Sequence, residues 1–368
     1  MRIALVILIA IHGIIHLFGF FKAFEISEFN TINQPISRAL GLIWLLTFVL
    51  FAMAIASMLV HFKYWWIIGL AAVLTSQWLI FNFWSDAKFG TIANVIILGA
   101  TIIAYSTFQF NHKVSQERKR LLENSKNLTQ QIVTESAISN LPVIVQKWLK
   151  HSGIVGKESI SNVRLVQDLQ LKMKEDQKAW NTAKADQYFS IQPPAFNWKL
   201  NMQMGPGIEV VGRDKFENGD GEMIIKMLSL IPIANVKNST KIDEASLQRY
   251  LAEIVWFPSA ALSPYISWES VDEQSAKATM SYKETKGSGI FHFGQDGEFV
   301  SFTAMRFKDI KDDEPKLWTV NALKTEERNG IRIPVECEAQ WKLADQDWTW
   351  LKLKIIDIEY DVKTVHDE

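Results

Sequence analysis

Ile3-Ala4-Leu5-Val6-Ile7-Leu8-Ile9-Ala10-Ile11-His12-Gly13-Ile14-Ile15-His16-Leu17-Phe18-Gly19-Phe20-Phe21 is an apolar run interrupted only by two histidines and two glycines. At 1.5 Å rise per residue, it approaches the ~20 residues needed to cross a ~30 Å hydrocarbon layer. Three more runs follow, at about Ala39 to Val60, Tyr64 to Trp84 and about Gly90 to Phe108. A secretory signal peptide is the competing reading of the first run. Its apolar core is too long for one, no small-x-small cleavage site follows, and three further runs come after it. Residues 1–110 therefore read as a four-span transmembrane block. Trp44, Trp65, Trp66, Trp78 and Trp84 include residues near run ends, as interfacial belts require.

Lysine and arginine counts set an orientation. With four spans, Arg2, Lys63, Lys113, Arg118, Lys119 and Arg120 share one side, and Lys22, Arg38 and Lys88 the other. The richer side is expected to be cytoplasmic, and the rest of the chain with it.

Polar residues inside the runs are the first candidates for function. His12 and His16 lie four apart, on one helical face. Gln77 lies in the second half of the third run, Asp86 and Lys88 in the turn after it, and Asn94 opens the fourth. Antiparallel spans gather these six into one half of the bilayer, where ionisable groups are costly and face a bundle interior or a water-filled cavity. Three readings stay open: hydrogen-bonded helix packing, with Asp86 paired to Lys88; a pocket for a lipid headgroup, quinone or proton; and metal or haem ligation. Two histidines on one face cannot supply opposite axial ligands to one haem. The block also has no cysteine, so a metal site there would be ligand-poor.

Residues 111–140 are polar and helix-forming, with Val114, Leu121 and Leu128 recurring at sevens, which predicts a helical stalk. A short helix is expected from Pro142 to Lys150. Beyond about residue 160 the period changes to two. Ile331, Ile333, Val335, Cys337, Ala339, Trp341 and Leu343 alternate with polar residues, predicting a strand with one buried face. Asn329-Gly330 and Asp296-Gly297 mark hairpin turns, and either Asn218-Gly219 or Asp220-Gly221 marks a third. Leu351, Leu353 and Ile355 alternate out of phase with Ile356, Ile358 and Tyr360, which predicts a β-bulge. Short gaps between strands imply a mostly antiparallel sheet.

One helix interrupts the strands. Asp243 is its expected N-cap and Pro258 its stop, and Leu247, Tyr250, Leu251, Ile254, Val255 and Phe257 form its apolar stripe. Arg249 and Glu253 read as a solvated pair on the remaining surface. The fold class is thus α+β: a four-helix transmembrane block, then a soluble, mostly antiparallel curved β-sheet packed on an amphipathic helix over residues 141–368. About 225 residues suffice for a real core.

Nine of the fourteen tryptophans lie beyond residue 140. Core packing is one reading of them. An apolar ligand cavity between sheet and helix is the other, lined by Trp198, Tyr250, Ile254, Trp256, Phe257 and Trp341. Cys337 is the only cysteine, on the apolar face of its strand, so no disulfide framework and no thiolate metal site is expected. The remaining histidines lack metal-ligand spacing, Gly205-Pro206-Gly207 reads as a turn and not a phosphate loop, and no metal is assigned. Net charge is −1 without a basic face, which argues against a nucleic-acid partner.

Several segments carry a resemblance. They are His12-Gly13-Ile14-Ile15-His16-Leu17-Phe18-Gly19-Phe20, Gln34-Pro35-Ile36-Ser37-Arg38, Trp84 to Thr91, Leu141-Pro142 through His151-Ser152-Gly153, Gln192-Pro193-Pro194-Ala195-Phe196, and Arg249 to Pro258. Together they resemble a family of uncharacterised bacterial membrane proteins, known as a domain of unknown function, across essentially the whole chain. The resemblance implies a bacterial source, and hence a cell (inner) membrane, and a shared architecture; it carries over no activity and no cofactor. A sheet curling round a helix is also similar, by architecture alone, to half-barrel lipid and lipoprotein carriers. Those carriers work outside the cytoplasm, whereas the charge count puts this domain inside.

Three functions follow as expectations. The first is a membrane-tethered protein that binds a lipid-like or other apolar ligand between sheet and helix, with the bilayer as its partner. The second is a membrane enzyme or redox/proton-handling protein using His12, His16, Asp86 and Lys88. The third is an assembly or structural factor.

Overall fold

Near-continuous apolar runs build the helices of the first part, and period-two alternation builds the strands of the second. The computed structural model describes residues 2–26, 33–125, 130–344 and 346–366. The chain divides into two compact units, Met1–His112 with Leu228–Leu230, and Lys113–Met227 with Ile231–Glu368.

The first unit holds α1 (Arg2–Ala23), α2 (Arg38–Leu59), α3 (Trp65–Asn82), the single turn α4 (Trp84–Ala87) and the start of α5 (Gly90–Ser125). Helices α1, α2, α3 and α5 are each long and apolar enough to cross a membrane. Ser37 caps α2 by accepting from the Leu40 amide. Glycines set how closely α1 and α2 approach. A Cβ on Gly13 would lie 3.1 Å from Phe51 Cβ, and one on Gly19 would lie 2.2 Å from the Trp44 ring. Bare glycine faces are how helices pack where no hydrophobic effect drives them together. The outer faces agree: Ile7, Ile11 and Ile14 of α1 are all more than half exposed. Such a stripe of isoleucine fits hydrocarbon and would be penalised in water.

The second unit takes α5 from Lys113 onward, then α6 (Glu135–Ile138) and α7 (Val143–His151). Six strands follow: β1 (Asn162–Leu171), β2 (Asn181–Ser190), β3 (Ala195–Gly205), β4 (Ile208–Glu217), β5 (Asp220–Met227) and β6 (Ile231–Val236). After α8 (Thr240–Glu253) come β7 (Ile266–Ser270), β8 (Ser275–Tyr282), β9 (Thr285–Phe293), β10 (Phe299–Arg306), β11 (Lys316–Arg328), β12 (Ile331–Lys342) and β13 (Asp347–Tyr360). All thirteen strands form one curved antiparallel sheet in the order β6-β5-β4-β3-β2-β1-β13-β12-β11-β10-β9-β8-β7. It is two meanders joined where β1 pairs with β13, residues 163–171 against 351–360. Helix α8 is the crossover between the two edge strands, and it touches β4 and β5 of one wing and β8, β9 and β10 of the other.

The local signals explain the hairpins. Asn218-Gly219 and Asn329-Gly330 both take positive φ, as a two-residue turn with strand-matching twist demands. Strand β12 buries Ile331, Ile333, Val335, Cys337, Ala339 and Trp341. In β13 the pairing slips so that Val166 faces Asp357 and Gln167 faces Ile355, leaving Ile356 as the bulged residue.

Helix α8 departs from expectation at its start. It begins at Thr240 behind Ser239, and Asp243 lies inside its first turn, where its carboxylate accepts from the Gly221 amide of β5 at 2.7 Å. It is also buried nearly all round, from Ala245 to Ala252. A one-sided stripe was expected because the sequence does not reveal that two wings enclose the helix. Two glycines seat it: a Cβ on Gly221 would lie 2.5 Å from the Ile242 carbonyl oxygen, and one on Gly287 would lie 2.9 Å from Gln248 Cγ.

The far end of α5 lies on the opposite face of the sheet. Strand β2 presents Asp186 and Tyr188 to α5 and Gln187 to α8. Val114 and Leu121 of the expected stalk seam are buried there, and Leu128 lies outside the described residues.

Candidate functional site

Between α8 and the concave face of the sheet lies a cavity of about 380 Å³. Its wall is built by cross-strand pairing. Trp318 of β11 stands directly opposite Trp341 of β12, which stands opposite Trp348 of β13. The Trp318 and Trp341 ring centroids are 6.4 Å apart. Leu169, Leu200, Leu351 and Leu353 supply the aliphatic part of the lining. Cys337 also faces the cavity; burial pushes its thiol up to about 12, which leaves it an inert thiol and not a nucleophile.

One side of the cavity is polar. Arg249 and Glu253 stand one turn apart on α8. Arg249 donates from Nη1 to Asp214 Oδ2 at 2.8 Å and from Nε to Glu253 Oε1 at 2.9 Å. Glu253 Oε2 accepts from Gln187 Nε2 at 2.9 Å, Gln187 Oε1 accepts from Gln167 Nε2 at 3.2 Å, and Gln167 Oε1 accepts from Trp198 Nε1 at 3.0 Å. The Arg249 guanidinium also lies 4.7 Å from the centroid of the Trp198 ring and 5.0 Å from that of Phe196. Burial raises the Asp214 and Glu253 carboxyls above their usual range, against the opposing pull of Arg249. Arg306, at the end of β10, stacks over Trp318 at 4.6 Å and donates from Nε to the Ala245 carbonyl at 3.1 Å. Burial, and next the charge of Arg249, lower its guanidinium to about 10.

Of the residues singled out for a cavity, Trp198, Trp256 and Trp341 line it. Tyr250, Ile254 and Phe257 instead sit in the main core: Tyr250 donates its hydroxyl to the Ser190 carbonyl at 3.1 Å, and Phe257 packs on Phe189 with centroids 4.8 Å apart. Arg249 and Glu253 are not a solvated pair, because the wings close over the face of α8 that carries them. Sequence reasoning missed Asp214 and Arg306. The signal for Arg306 was present, since it shares the inward phase of β10 with Phe302 and Ala304.

In the first unit, four of the six intramembrane candidates meet. His16 Nδ1 lies 2.8 Å from the His12 carbonyl and therefore carries the proton. In the neutral ring its Nε2 then accepts from Ser76 Oγ at 3.0 Å. His12 Nε2 donates toward Ser76 Oγ at 3.1 Å and Asn94 Oδ1 at 2.9 Å, and Asn94 Nδ2 donates to Gln77 Oε1 at 3.0 Å. Asp86 and Lys88 stand apart from this chain. Asp86 accepts from the amides of Asn33 and Gln34 at 2.9 and 3.3 Å, and Lys88 lies 5.4 Å from the Phe89 ring centroid. Among the described residues, no three of His, Cys, Asp and Glu are grouped to hold a metal ion.

Fold and cavity together define a class: a curved antiparallel sheet wrapped round a crossover helix with an aromatic chamber inside, preceded by four apolar helices. The chain belongs to the Family of unknown function (DUF6920), whose sequence profile matches residues 139–360. No curated protein matches it. Two solved structures are similar to it. One is a LolA superfamily protein from Nitrosomonas europaea, at 10% identity over 59% of this chain and 91% of that one, with TM-score 0.32. The other is a beta-barrel-like protein of Domain of Unknown Function DUF1849 from Brucella abortus, at 11% identity over 55% of this chain and 98% of that one, with TM-score 0.22.

Proposed function

We propose that this chain is a membrane-held binding protein for a lipid-like or other apolar molecule, which lies between the sheet and α8. The observation that carries this reading is the chamber of about 380 Å³ walled by tryptophan and leucine. Binding sites for small molecules are of this kind, ~300–1,000 Å³, mostly apolar, with a few placed polar groups. Water gains little in such a space, so an apolar guest is favoured by roughly 25 cal/mol for each Å² it removes from solvent. Four helices of membrane-crossing length would hold the chamber's owner at the source of such guests. The same reading puts the protein in a bacterial cell membrane, with the sheet unit on the cytoplasmic side favoured by the lysine and arginine count.

Native mass spectrometry of the full-length protein, extracted gently, tests this. An apolar molecule should co-purify and should be lost from Ala339→Trp, which fills the chamber from β12. Wild-type protein that is empty under extraction conditions that preserve bilayer lipids on its spans would overturn the reading.

A second role is favoured for the spans. The continuous hydrogen-bond chain through His12, His16, Ser76, Gln77 and Asn94 supports helix-to-helix attachment over redox or proton chemistry.

A further inference from the structure

The charged groups of the chamber are not evenly matched. Arg249 contacts both Asp214 and Glu253, so these three are committed to one another. Glu222 is paired with Arg213. Lys241 donates to the backbone carbonyls of Ile310 and Asp312, Lys308 bonds Glu175, and Lys172 lies over the Trp180 ring. Arg306 is different. Among the described residues it forms no ion pair, and its one hydrogen bond uses Nε. Both terminal nitrogens of its fork are left over, on a side chain that lines the chamber. A planar guanidinium held over an indole ring, 4.6 Å from its centroid, with its fork unspent can receive two oxygens of an acid side by side.

A second observation points the same way. The indole nitrogens of Trp318, Trp348 and Trp350 are buried without an acceptor, and all three residues line the chamber. Buried donors are nearly always paired in folded proteins; these nitrogens have almost no accessible surface of their own, so they add to the donor-rich character of the wall and are not contacts for the guest. The Arg306 fork and the indole nitrogens are all donors. A hydroxyl or amine guest would bring further donors, whereas a carboxylate or phosphate brings acceptors alone.

The balance of charge permits this. Arg249 and Arg306 against Asp214 and Glu253 sum to zero, but the two carboxylates are spent at contact distance on Arg249. Burial raises both carboxyls, so uptake of one proton beside the incoming acid keeps the buried group neutral.

We propose that the guest is an amphipathic acid: an apolar chain lies along the leucine and tryptophan wall, and a carboxylate or phosphate head is held by the free fork of Arg306. This rests on the chamber being a binding site, as proposed above, and adds the chemistry of the head. Arg306 is the specificity-determining residue.

The test uses full-length protein in phosphatidylcholine nanodiscs, with empty nanodiscs as the partition background. The probes are dodecanoate, dodecyl phosphate and dodecanol, which share one chain and differ in the head. Wild-type protein should bind at least one of the two acids tenfold or more tighter than the alcohol, and which acid wins distinguishes a fatty-acid type of head from a phosphate head. Arg306→Gln should lose that preference while still binding dodecanol. Arg306→Lys keeps the charge without the fork and should retain part of the preference. Equal binding of acids and alcohol by wild-type protein overturns the inference without any variant and leaves the apolar chamber standing. Preference retained in a folded Arg306→Gln also overturns it. Binding of none of the three above background removes the chamber reading and this inference together.

Discussion

Arg249 reaches 2.8 Å across from α8 to Asp214 of β4, so the crossover helix and one wing of the sheet are joined by an ion pair inside the chamber. A buried pair of this kind adds little net stability over a well-packed apolar pair, but breaking it is costly. Arg249→Met leaves Asp214 and Glu253 facing each other without a cation. We expect a loss of about 3–5 kcal/mol, the usual cost of stranding a buried charge, read as a lower thermal midpoint of tryptophan near-UV dichroism. The loss should shrink on acidification. Both carboxyls are raised in the folded state, so the stability they contribute is present at low pH, below their unfolded values, and falls as pH rises through the folded ones. A variant equally destabilised at pH 7 and pH 4.5 would refute this assignment.

Arg118 makes the corresponding attachment on the other face. It donates from Nη1 to Asp186 Oδ2 at 2.9 Å and from Nε to Asn197 Oδ1 at 3.1 Å, with its guanidinium 4.8 Å from the Tyr188 ring centroid. Next to it, Glu117 Oε2 lies 3.2 Å from Nε of the fully buried Arg213. Arg118→Lys keeps the charge but cannot make the fork. Arg164 Nε also holds Asp186, at 3.0 Å, so neither this variant nor Arg118→Ala strands that carboxylate. Each loses the charge-assisted hydrogen bonds of the fork, about 1.5–3 kcal/mol, and Arg118→Lys should behave much like Arg118→Ala. Proteolysis near the end of α5 would show it first. A lysine variant as resistant as wild type would mean that charge alone holds α5 to the sheet.

What the sequence revealed and what it hid divide along physical lines. Helices of membrane-crossing length, hairpin turns and the Ile356 bulge were legible because each is a local property: run length, an Asn-Gly pair, a change of phase. The alternation of β12 told which face was buried, that of Trp341 included. The pairing of β1 with β13 joins residues nearly two hundred positions apart and leaves no local mark. Without it, α8 reads as a helix with one wet side, and Arg249 with Glu253 as a surface pair. The same blindness misplaced Tyr250, Ile254 and Phe257, whose apolar character says buried but not against what. In the spans, the spacing of His12 and His16 showed a shared face. It could not show that Asp86 spends itself on the backbone of Asn33 and Gln34.

Ser76 is the hub of the intramembrane chain, bonded to both His12 and His16. Ser76→Ala removes two hydrogen bonds at once and adds no bulk. Interhelical hydrogen bonds in membranes average about 0.6 kcal/mol and reach about 1.7, so we expect a loss of about 1–3 kcal/mol in unfolding from mild detergent into SDS. Insertion itself should be unchanged, because one hydroxyl contributes little to partition of the span. A larger loss, or failure to insert, would mean that the chain does more than hold helices.

Cys337 reports on the chamber wall without any substitution, being the one cysteine of the chain. Its thiol is pushed up to about 12 by burial, with the charge of Glu336 adding to the effect. At pH 8 only about one molecule in ten thousand carries the reactive thiolate, against roughly a quarter for an ordinary cysteine. Native protein should therefore resist iodoacetamide for hours and label promptly once unfolded. Filling the chamber with an apolar probe should slow native labelling further, since Cys337 lines it. Labelling of native and unfolded chains at one rate would show Cys337 standing in water. The inner face of β12 would then not be the wall of any chamber.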